Sequence, residues 1–284
     1  MASNRHRAIA AAVEVAGSLG LAVADAVVLQ ESNSLAVRLL PCDVLARIAD
    51  EHVWRQAEFE VGLALRLAQA AAPIGLLEPR VEPRAYVGGG WVVTFWTYYA
   101  TTPARELPPA DYARALERLH SSMRRLDART PHFTDRVSEA QRLVGDPEQT
   151  PALADADRVL LGSSLRALRR SVSARSRAEQ LLHGEPHPGN VLVTKEGPLF
   201  IDLETCCRGP VEFDLAHAPD EVSLHYPGAD QPLVRDCRLL KLAMVAAWRW
   251  DRNDQFPNGL QMGREYVNAL RTAMPGAPSQ ARDR

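Results

Sequence analysis

The sequence predicts a two-lobed α/β (α+β) protein: an N-terminal antiparallel sheet with one helix, followed by a larger helical lobe. Three observations predict this. Short aliphatic runs separated by turn residues occupy residues 21–50. An apolar stripe at helical spacing follows them. From about residue 108 onward the periodicity is mostly helical. With 284 residues, the chain is long enough for one large domain or two coupled lobes.

The N-terminus is predicted to form an amphipathic helix. Ile9, Val13 and Ala16 recur at helical spacing along an Ala/Val-rich run. The run faintly resembles a signal peptide, because two arginines precede it. However, Glu14 interrupts it, so a first helix of the folded protein is the better interpretation.

The rest of the N-terminal lobe is predicted as a meander, a helix and a hairpin. The meander strands are expected at residues 26–29, 35–39 and 44–48. The helix spans residues 53–68, and a hairpin with a triple-glycine turn spans residues 84–96. No Gly-Lys-Ser/Thr follows those glycines, so they predict a turn rather than a phosphate-binding loop.

The C-terminal lobe is predicted to be mainly helical. Its periodic stretches lie at residues 109–127, 151–181, 232–250 and 259–274, with a short hairpin that turns at Glu196 and Gly197. We therefore expect one lobe at residues 1–98, a second at 99–275, and a flexible polar tail at 276–284.

Composition excludes several classes of protein. The chain is 46% hydrophobic and 24% charged, which is typical of a soluble globular protein. A net charge of -2 gives no reason to expect a nucleic-acid or anionic-membrane partner. Its four cysteines form no CxxC pair, so we do not expect a metal–thiolate site. We expect a reducing, cytosolic location. A monomer or weak dimer is expected.

The most informative segment carries an acid, an amide and a second acid. Glu185 lies in a tight Pro- and Gly-containing loop, Asn190 follows five positions later, and Asp202 ends the next predicted hairpin. The first pair has the spacing of the acid and Asn in the protein-kinase catalytic loop. Phosphoryl transfer needs positioning and charge neutralisation, which two carboxylates and an amide around Mg²⁺ can supply.

The wider pattern is similar to a known family. His183-Gly-Glu185-x-His187-x-x-Asn190, then Asp202-x-Glu204 and the segment 209–216, resembles the catalytic motif of aminoglycoside phosphotransferases and choline-kinase-like enzymes. The resemblance implies a protein-kinase-like fold. It also implies ATP (GTP is not excluded) and Mg²⁺ in a cleft between the lobes, and transfer of the γ-phosphate to a hydroxyl of a small molecule.

The resemblance also implies roles for individual residues. Glu185 is the expected base, and Asn190 and Asp202 are the expected magnesium ligands. Supporting positions around them are His183, His187, Glu204 and Asp214, the last as a brace for the loop. The family usually has Asp where this chain has Glu185. A displacement of about 1 Å can cost about a hundredfold in rate, so either the loop accommodates the longer acid or the enzyme is slow or lapsed.

The N-terminal lobe is the expected nucleotide-binding lobe. Arg47, on the third strand, stands where a phosphate-binding Lys is usual, and its helix partner is Glu60, with Glu58 as the competing candidate. The remaining expected nucleotide contacts are Ser32, Asn33 and Ser34 in a covering turn and Phe95, Trp96 and Thr97 in a hinge beside the base.

The larger lobe is expected to bind the acceptor. The candidates are Tyr226, Asp230, Trp250, Asp251 and Asp254. Acids there would suit a cationic acceptor such as an amino sugar, although an aromatic run at a helix end more often packs in a core. Two alternatives stay open: a kinase for choline, a sugar or another metabolite, and a non-catalytic nucleotide-binding or scaffold protein.

Overall fold

The computed structural model describes residues 2–31, 34–100 and 107–274. The chain forms two compact units that alternate along the sequence. The first unit comprises Met1–Ala128 and Pro188–Thr205, and the second comprises Arg129–His187 and Cys206–Arg284. The boundary after residue 98 was predicted between a nucleotide-binding lobe and a catalytic lobe, and it stays a prediction. The tail predicted at 276–284 lies outside the described residues.

The helices are α1 (Ala2–Ser18), α2 (Trp54–Gln69), α3 (Pro109–Met123), α4 (Phe133–Gly145), α5 (Asp155–Arg175), α6 (Val211–Leu215), α7 (Val222–His225), α8 (Gln231–Arg249) and α9 (Gly259–Ala273). The strands are β1 (Val23–Glu31), β2 (Leu35–Pro41), β3 (Val44–Asp50), β4 (Tyr86–Gly88), β5 (Trp91–Thr97), β6 (Gln180–Leu182), β7 (Val191–Thr194), β8 (Gly197–Phe200) and β9 (Cys207–Gly209).

An antiparallel sheet of the order β1-β2-β3-β5-β4 forms the core of the first unit. In β2 and β3 every second side chain is buried, as in a strand with one covered face. Ala8, Ala12 and Ala16 of α1 pack against that face, where Val37 and Leu39 are fully buried. The predicted first helix, meander and glycine hairpin are therefore confirmed.

The hairpin of β7 and β8 belongs to the same unit. It turns at Gly197, whose φ of 122° is a conformation that favours glycine. Phe200 at its end exchanges backbone hydrogen bonds with the segment after α2: its amide donates to Pro73 at 2.9 Å, and its carbonyl accepts from Gly75 at 2.9 Å. These bonds fix the position at which residues 201–205 leave the hairpin.

The second unit is built on α4, α5, α8 and α9. Their apolar faces meet in one cluster, in which Phe133, Leu161, Leu165, Leu240 and Met244 are fully buried. Two short strands, β6 and β9, pair antiparallel beside it. The predicted helical character of this region is confirmed.

Two elements of the second unit differ from the sequence prediction. Helix α4 was not among the predicted periodic stretches, although Val137, Ala140 and Val144 form its buried stripe. Residues 180–181 were predicted as the end of a long helix but lie in β6, since α5 ends at Arg175. The β9 backbone supplies hydrogen bonds that a short-range pattern does not reveal.

Two compositional expectations concern cysteines and membranes. All four cysteines, Cys42, Cys206, Cys207 and Cys237, are free thiols. Within the part of the chain that the structure describes, every helix is too short or too polar to cross a membrane.

A pair of glycines gives a test of this packing. Ala at Gly209 would place its Cβ 2.9 Å from Cδ1 of Phe133 and 3.1 Å from Cδ1 of Leu182. We expect Gly209→Ala to lower the free energy of unfolding by about 1–3 kcal/mol through overpacking. Gly62 in α2 is exposed and has open space around it. Gly62→Ala should raise stability by about 0.5–1 kcal/mol. Urea denaturation of both variants checks these opposite signs.

Candidate active site

Arg47 is the centre of a charged cluster in the first unit. Its side chain extends from β3, with Nη1 at 2.5 Å from Oε1 of Glu60 and Nη2 at 2.7 Å from Oδ1 of Asp202. Glu204 lies further away, at 4.0 Å from Nη2. The planar guanidinium can serve two carboxylates at once because its N–H groups form a rigid fork.

Glu60 is the buried member of this cluster. Its side chain is only 4% exposed, on the inner face of α2, and Oε1 also accepts a hydrogen bond from the amide of Leu203 at 3.0 Å. Burial raises the pKa of Glu60, although Arg47 opposes the shift. Glu58, the competing candidate, instead accepts a hydrogen bond from the amide of Ala85 at 2.6 Å.

The pKa of Arg47 shows how strongly the cluster holds its positive charge. Burial alone would lower that pKa. The attraction of Glu60 and Asp202 outweighs burial, and the pKa of Arg47 is raised above its ordinary value. The guanidinium is therefore a permanent cation at this site.

Asp202 adopts an unusual backbone conformation. Its φ is 68°, in the left-handed region that non-glycine residues seldom occupy outside turns and functional sites. Strand β8 has already ended at Phe200, and Leu203–Thr205 forms a 3-10 turn. Asp202 and Glu204 therefore do not lie on one strand, and Glu204 belongs to the turn.

A cavity of about 430 Å³ opens beside this cluster, entirely within the first unit. Its polar lining includes Ser34, Arg47, Glu60, Asn190 and Asp202. Its aliphatic walls include Leu29, Ala36, Leu45, Leu192 and Ile201, and its aromatic and hinge side is formed by Trp96, Thr97, Tyr98 and Tyr99. The hairpin of β7 and β8 thus brings Asn190 and Asp202 to one cavity. Ser32 and Asn33 lie outside the described residues.

Phe95 is a hinge candidate that the structure places elsewhere. Side chains alternate along a strand, so Phe95 faces away from its neighbour Trp96. Its ring lies 5.7 Å from that of Tyr86 in the sheet core, and its carbonyl accepts from the amide of Glu78 at 3.0 Å. Phe95 is therefore a core residue, and the expectation of a cavity contact from its side chain is not met.

The loop that contains Glu185 belongs to the second unit. Asp214 is completely buried, and its two carboxylate oxygens accept hydrogen bonds from the amides of His183 and Gly184, both at 2.8 Å. Nδ1 of the buried His183 faces the amide of Glu185 at 3.4 Å. His187 is exposed, and its amide donates to the carbonyl of Glu185 at 2.8 Å. Asp214 and His183 thus hold the backbone of this loop.

Sequence reasoning missed the partner of the Glu185 side chain. The carboxylate forms an ion pair with Arg136 of α4. The Arg136 guanidinium also lies over the ring of Trp248, 5.2 Å from its centroid. The apolar stripe of α4 could have revealed the helix, but no local motif marks Arg136.

The predicted acceptor residues fall into two separate groups. Asp230 caps the N-terminus of α8 by accepting from the amide of Leu233 at 3.0 Å, whereas Asp251 and Asp254 follow its C-terminus. The helix has 19 residues, which corresponds to a length of about 28 Å. The two groups therefore do not share one pocket.

Three of these residues also have structural roles. Trp250 and Tyr226 are buried at 3% and 7% exposure. Asp254 lies 3.2 Å from Nη1 of Arg249, and both side chains are more than four-fifths buried. Trp250 therefore packs in the core, which was the alternative prediction for the aromatic run at the end of this helix.

The chain belongs to the phosphotransferase enzyme family, whose model matches residues 28–252. This match covers both Arg47 and the motif at 183–216. The resemblance to aminoglycoside phosphotransferases, and with it the prediction of an enzyme of the small-molecule phosphotransferase class, is confirmed. No curated protein sequence matches the chain.

Several solved structures share the fold at low sequence identity. A fructosamine-3-kinase candidate from Haemophilus somnus is 10% identical with a TM-score of 0.68, over 93% of this chain and 98% of that one. Amicoumacin kinase hAmiN, in complex with AMP-PNP, Ca²⁺ and Ami, is 11% identical with a TM-score of 0.63, over 93% and 94%.

The GDP complex of wild-type aminoglycoside 2'-phosphotransferase-IIIa is 13% identical to the chain with a TM-score of 0.66, over 91% of this chain and 96% of that one. At these identities the similarity concerns the fold. The predicted kinase-like fold is confirmed.

A buried histidine in the second unit predicts acid sensitivity. Burial lowers the pKa of His217 well below its ordinary value, and Lys241, Arg136 and two neighbouring histidines lower it further. Below about pH 6.5, His217 is protonated in the unfolded chain but stays neutral in the folded protein. The free energy of unfolding therefore falls as pH falls. The contribution reaches up to about 1.4 kcal/mol per pH unit.

The test compares unfolding free energies at several pH values from 7.5 to 5. His217→Gln removes this titration and should flatten the pH dependence relative to wild type, whatever its effect at neutral pH. His225→Gln, at an exposed histidine, is the matched control and should keep the wild-type slope. Parallel slopes for wild type and His217→Gln would contradict the assignment.

Proposed function

We propose that this protein transfers the γ-phosphate of a nucleoside triphosphate to a hydroxyl of a small molecule. The observation that carries the proposal is the cavity in the first unit, whose polar lining brings Arg47, Asn190 and Asp202 together. A cation, a carboxylate and an amide oxygen around one space are the groups that positioning and neutralising phosphates requires.

The size and walls of the cavity support a nucleotide as its ligand. About 430 Å³ lies within the range of cofactor sites. Leu29, Leu45 and Leu192 provide apolar surface, and Trp96 lies on the hinge side. Two of the similar proteins were solved with AMP-PNP and with GDP, so both ATP and GTP are candidates here.

The donor atoms also fit Mg²⁺. Asn190 and Asp202 offer oxygen ligands, which this hard cation prefers. In the described part of the chain, His, Cys, Asp and Glu do not assemble in a group of three or more suited to a metal. Mg²⁺ usually completes its shell with phosphate oxygens and water, so a two-residue site is adequate. Bound there, the ion would neutralise charge on the phosphates.

Arg47 then has a defined role when the nucleotide binds. Its guanidinium contacts Asp202 at 2.7 Å. On the proposed function, Arg47 would bind phosphate oxygens of the nucleotide, and Asp202 would help to hold the metal ion. Glu60 stays as its anchor, because the Glu60 carboxylate is buried and also holds the amide of Leu203.

Glu185 is the proposed base in the second unit. It precedes Asn190 by five residues, the spacing of the acid and amide in kinase catalytic loops. Asp214 and His183 hold its backbone, so a longer side chain than Asp is presented from a fixed loop. Its carboxylate is paired with Arg136.

Nucleotide binding is tested by thermal unfolding with ATP or GTP, each with and without Mg²⁺. A ligand at a hundredfold excess over Kd should stabilise the folded state by about 2.7 kcal/mol. We expect a magnesium-dependent rise in Tm that Asp202→Ala abolishes. Glu196→Ala, in the exposed turn of the same hairpin, is the control and should respond as wild type does. No rise with either nucleotide in wild type would favour the scaffold alternative.

Turnover tests the role of Glu185. With an acceptor found by screening hydroxylated compounds for ADP or GDP release, Glu185→Gln should lower kcat by about 10²–10⁴-fold, as expected for loss of a general base. Glu179→Gln removes a nearby surface carboxylate as a control. If Glu185→Gln retains wild-type kcat, Glu185 is not the base.

The acceptor is proposed only as a small hydroxylated molecule. Aminoglycosides and other antibiotics, choline, sugars and amino alcohols therefore all belong in the screen. A cytosolic location and a monomeric or weakly dimeric state remain predictions.

A further inference from the structure

The acids once expected to attract a cationic acceptor are already engaged inside the second unit. Arg175 contacts both Asp236 at 2.9 Å and Asp230 at 3.6 Å. Arg249 contacts Asp254 at 3.2 Å. Asp251 accepts from the amide of Asn253, two residues on, at 2.9 Å. Each of these carboxylates already has a partner within the second unit.

The side chains around Glu185 are instead basic and aromatic. Arg136 reaches its carboxylate from α4 and lies over Trp248 of α8. The Arg136 side chain is only 18% exposed, and its Nη1 atom is buried without a hydrogen-bond partner. A buried guanidinium donor with no acceptor is costly, so a further acceptor at this place would stabilise the site.

His217 and Lys241 are two further nitrogen-bearing side chains of this region. His217 is 8% exposed, and its Nε2 atom is buried without a partner. Nζ of Lys241 donates to the carbonyl of Ala216 at 2.6 Å, beside His217. Arg136 and Lys241 both act on His217, since their positive charges lower its pKa after burial itself.

The carboxylates near these basic side chains are already engaged in other interactions. Asp214 is fully buried and occupied by two backbone amides. Glu185 is the carboxylate that contacts Arg136, and it is also the proposed base. A buried guanidinium with an unpartnered donor, whose contacting carboxylate is partly exposed, is typical of a place that can bind an added anion.

We propose that the acceptor carries an anionic group, a carboxylate or a phosphate, next to the hydroxyl that is phosphorylated, and that Arg136 binds this group. The proposal rests on the proposed function. The acceptor anion replaces Glu185 at the guanidinium, which binds either carboxylate or phosphate through two N–H groups. Glu185 is then free to accept a hydrogen bond from the acceptor hydroxyl. An amine-bearing acceptor would meet cations here.

The test uses the smallest matched alcohols and the full-length protein without nucleotide. Glycolate, ethylene glycol and ethanolamine differ mainly in the charge beside the hydroxyl, and inorganic phosphate is the fourth probe. The readout is the indole N–H signal of Trp248 in ¹H–¹⁵N spectra at constant ionic strength, assigned with Trp248→Phe. Trp96, which lines the nucleotide cavity, reports binding there separately.

We expect glycolate or phosphate to shift the Trp248 signal to saturation, whereas ethylene glycol and ethanolamine leave it unchanged. The anion that binds more tightly tells a carboxylate from a phosphate. Arg136→Gln should weaken binding by roughly tenfold or more, as expected for loss of a charge-assisted hydrogen bond. Arg136→Lys should keep part of the affinity. Arg142→Gln, at an exposed arginine of the same helix, should bind as wild type does.

Three results would overturn the proposal: no saturable shift with either anion, an unchanged shift in Arg136→Gln, or a saturable shift with ethanolamine. Dispersed signals from the other tryptophans verify that each variant is folded. Because the titration needs neither nucleotide nor turnover, its outcome is independent of the thermal-shift test. Anion binding without any nucleotide response would sink the kinase proposal alone.

Discussion

The first unit depends on one permanent cation. Arg47 holds Glu60 at 2.5 Å and Asp202 at 2.7 Å, although 155 residues separate Arg47 from Asp202 in the sequence. A carboxylate as buried as Glu60 is stable only with a partner, because an uncompensated buried charge costs several kcal/mol, roughly 3–5 when a partner is removed. The cluster therefore ties α2 to β3 and fixes the turn that follows β8. The left-handed conformation of Asp202 is retained because the chain on both sides is held, by Phe200 on the strand side and by Leu203 bonded to Glu60.

Local spacing made part of this site predictable. Glu185, Asn190 and Asp202 lie within 18 positions of each other, and the sequence indicates a turn at Gly197. The hairpin, and the approach of Asn190 and Asp202 to one cavity, therefore follow from short-range rules. Arg47 and Glu60 follow from their order on a strand and the next helix. Their helix also carried Glu58, and only the three-dimensional structure shows which acid faces inward. Phe95 shows the same limit, since alternation assigns two faces to a strand without saying which one borders a cavity.

The contact of Arg136 with Glu185 could not be predicted from local spacing, for a different reason. Arg136 lies 49 residues from Glu185, on a helix whose buried apolar stripe is only four residues long. Ion pairs between distant segments depend on tertiary packing, which neither periodicity nor motif spacing encodes. The acceptor candidates failed to converge for a related reason. The candidates were chosen because they are acidic or aromatic, and the structure shows that they lie at opposite ends of α8. A helix of 19 residues separates its ends by about 28 Å.

The two carboxylates that the motif distinguishes, Asp202 and Glu185, are each paired with an arginine in the free protein, one in each unit. An arginine keeps its charge at any physiological pH, so neither pair is released by titration of its cation. Release requires exchange, in which an incoming ligand offers the carboxylate a new cation or the arginine a new anion. On the proposed function, a metal–nucleotide complex would offer both at Asp202. On the proposal for Arg136, an anionic group of the acceptor would take the place of the Glu185 carboxylate, and a neutral alcohol would leave the pair intact. If Glu185 is the base and Arg136 binds an acceptor anion, as proposed, the arginine selects the acceptor, because the ligand that frees Glu185 is also the one that Arg136 binds.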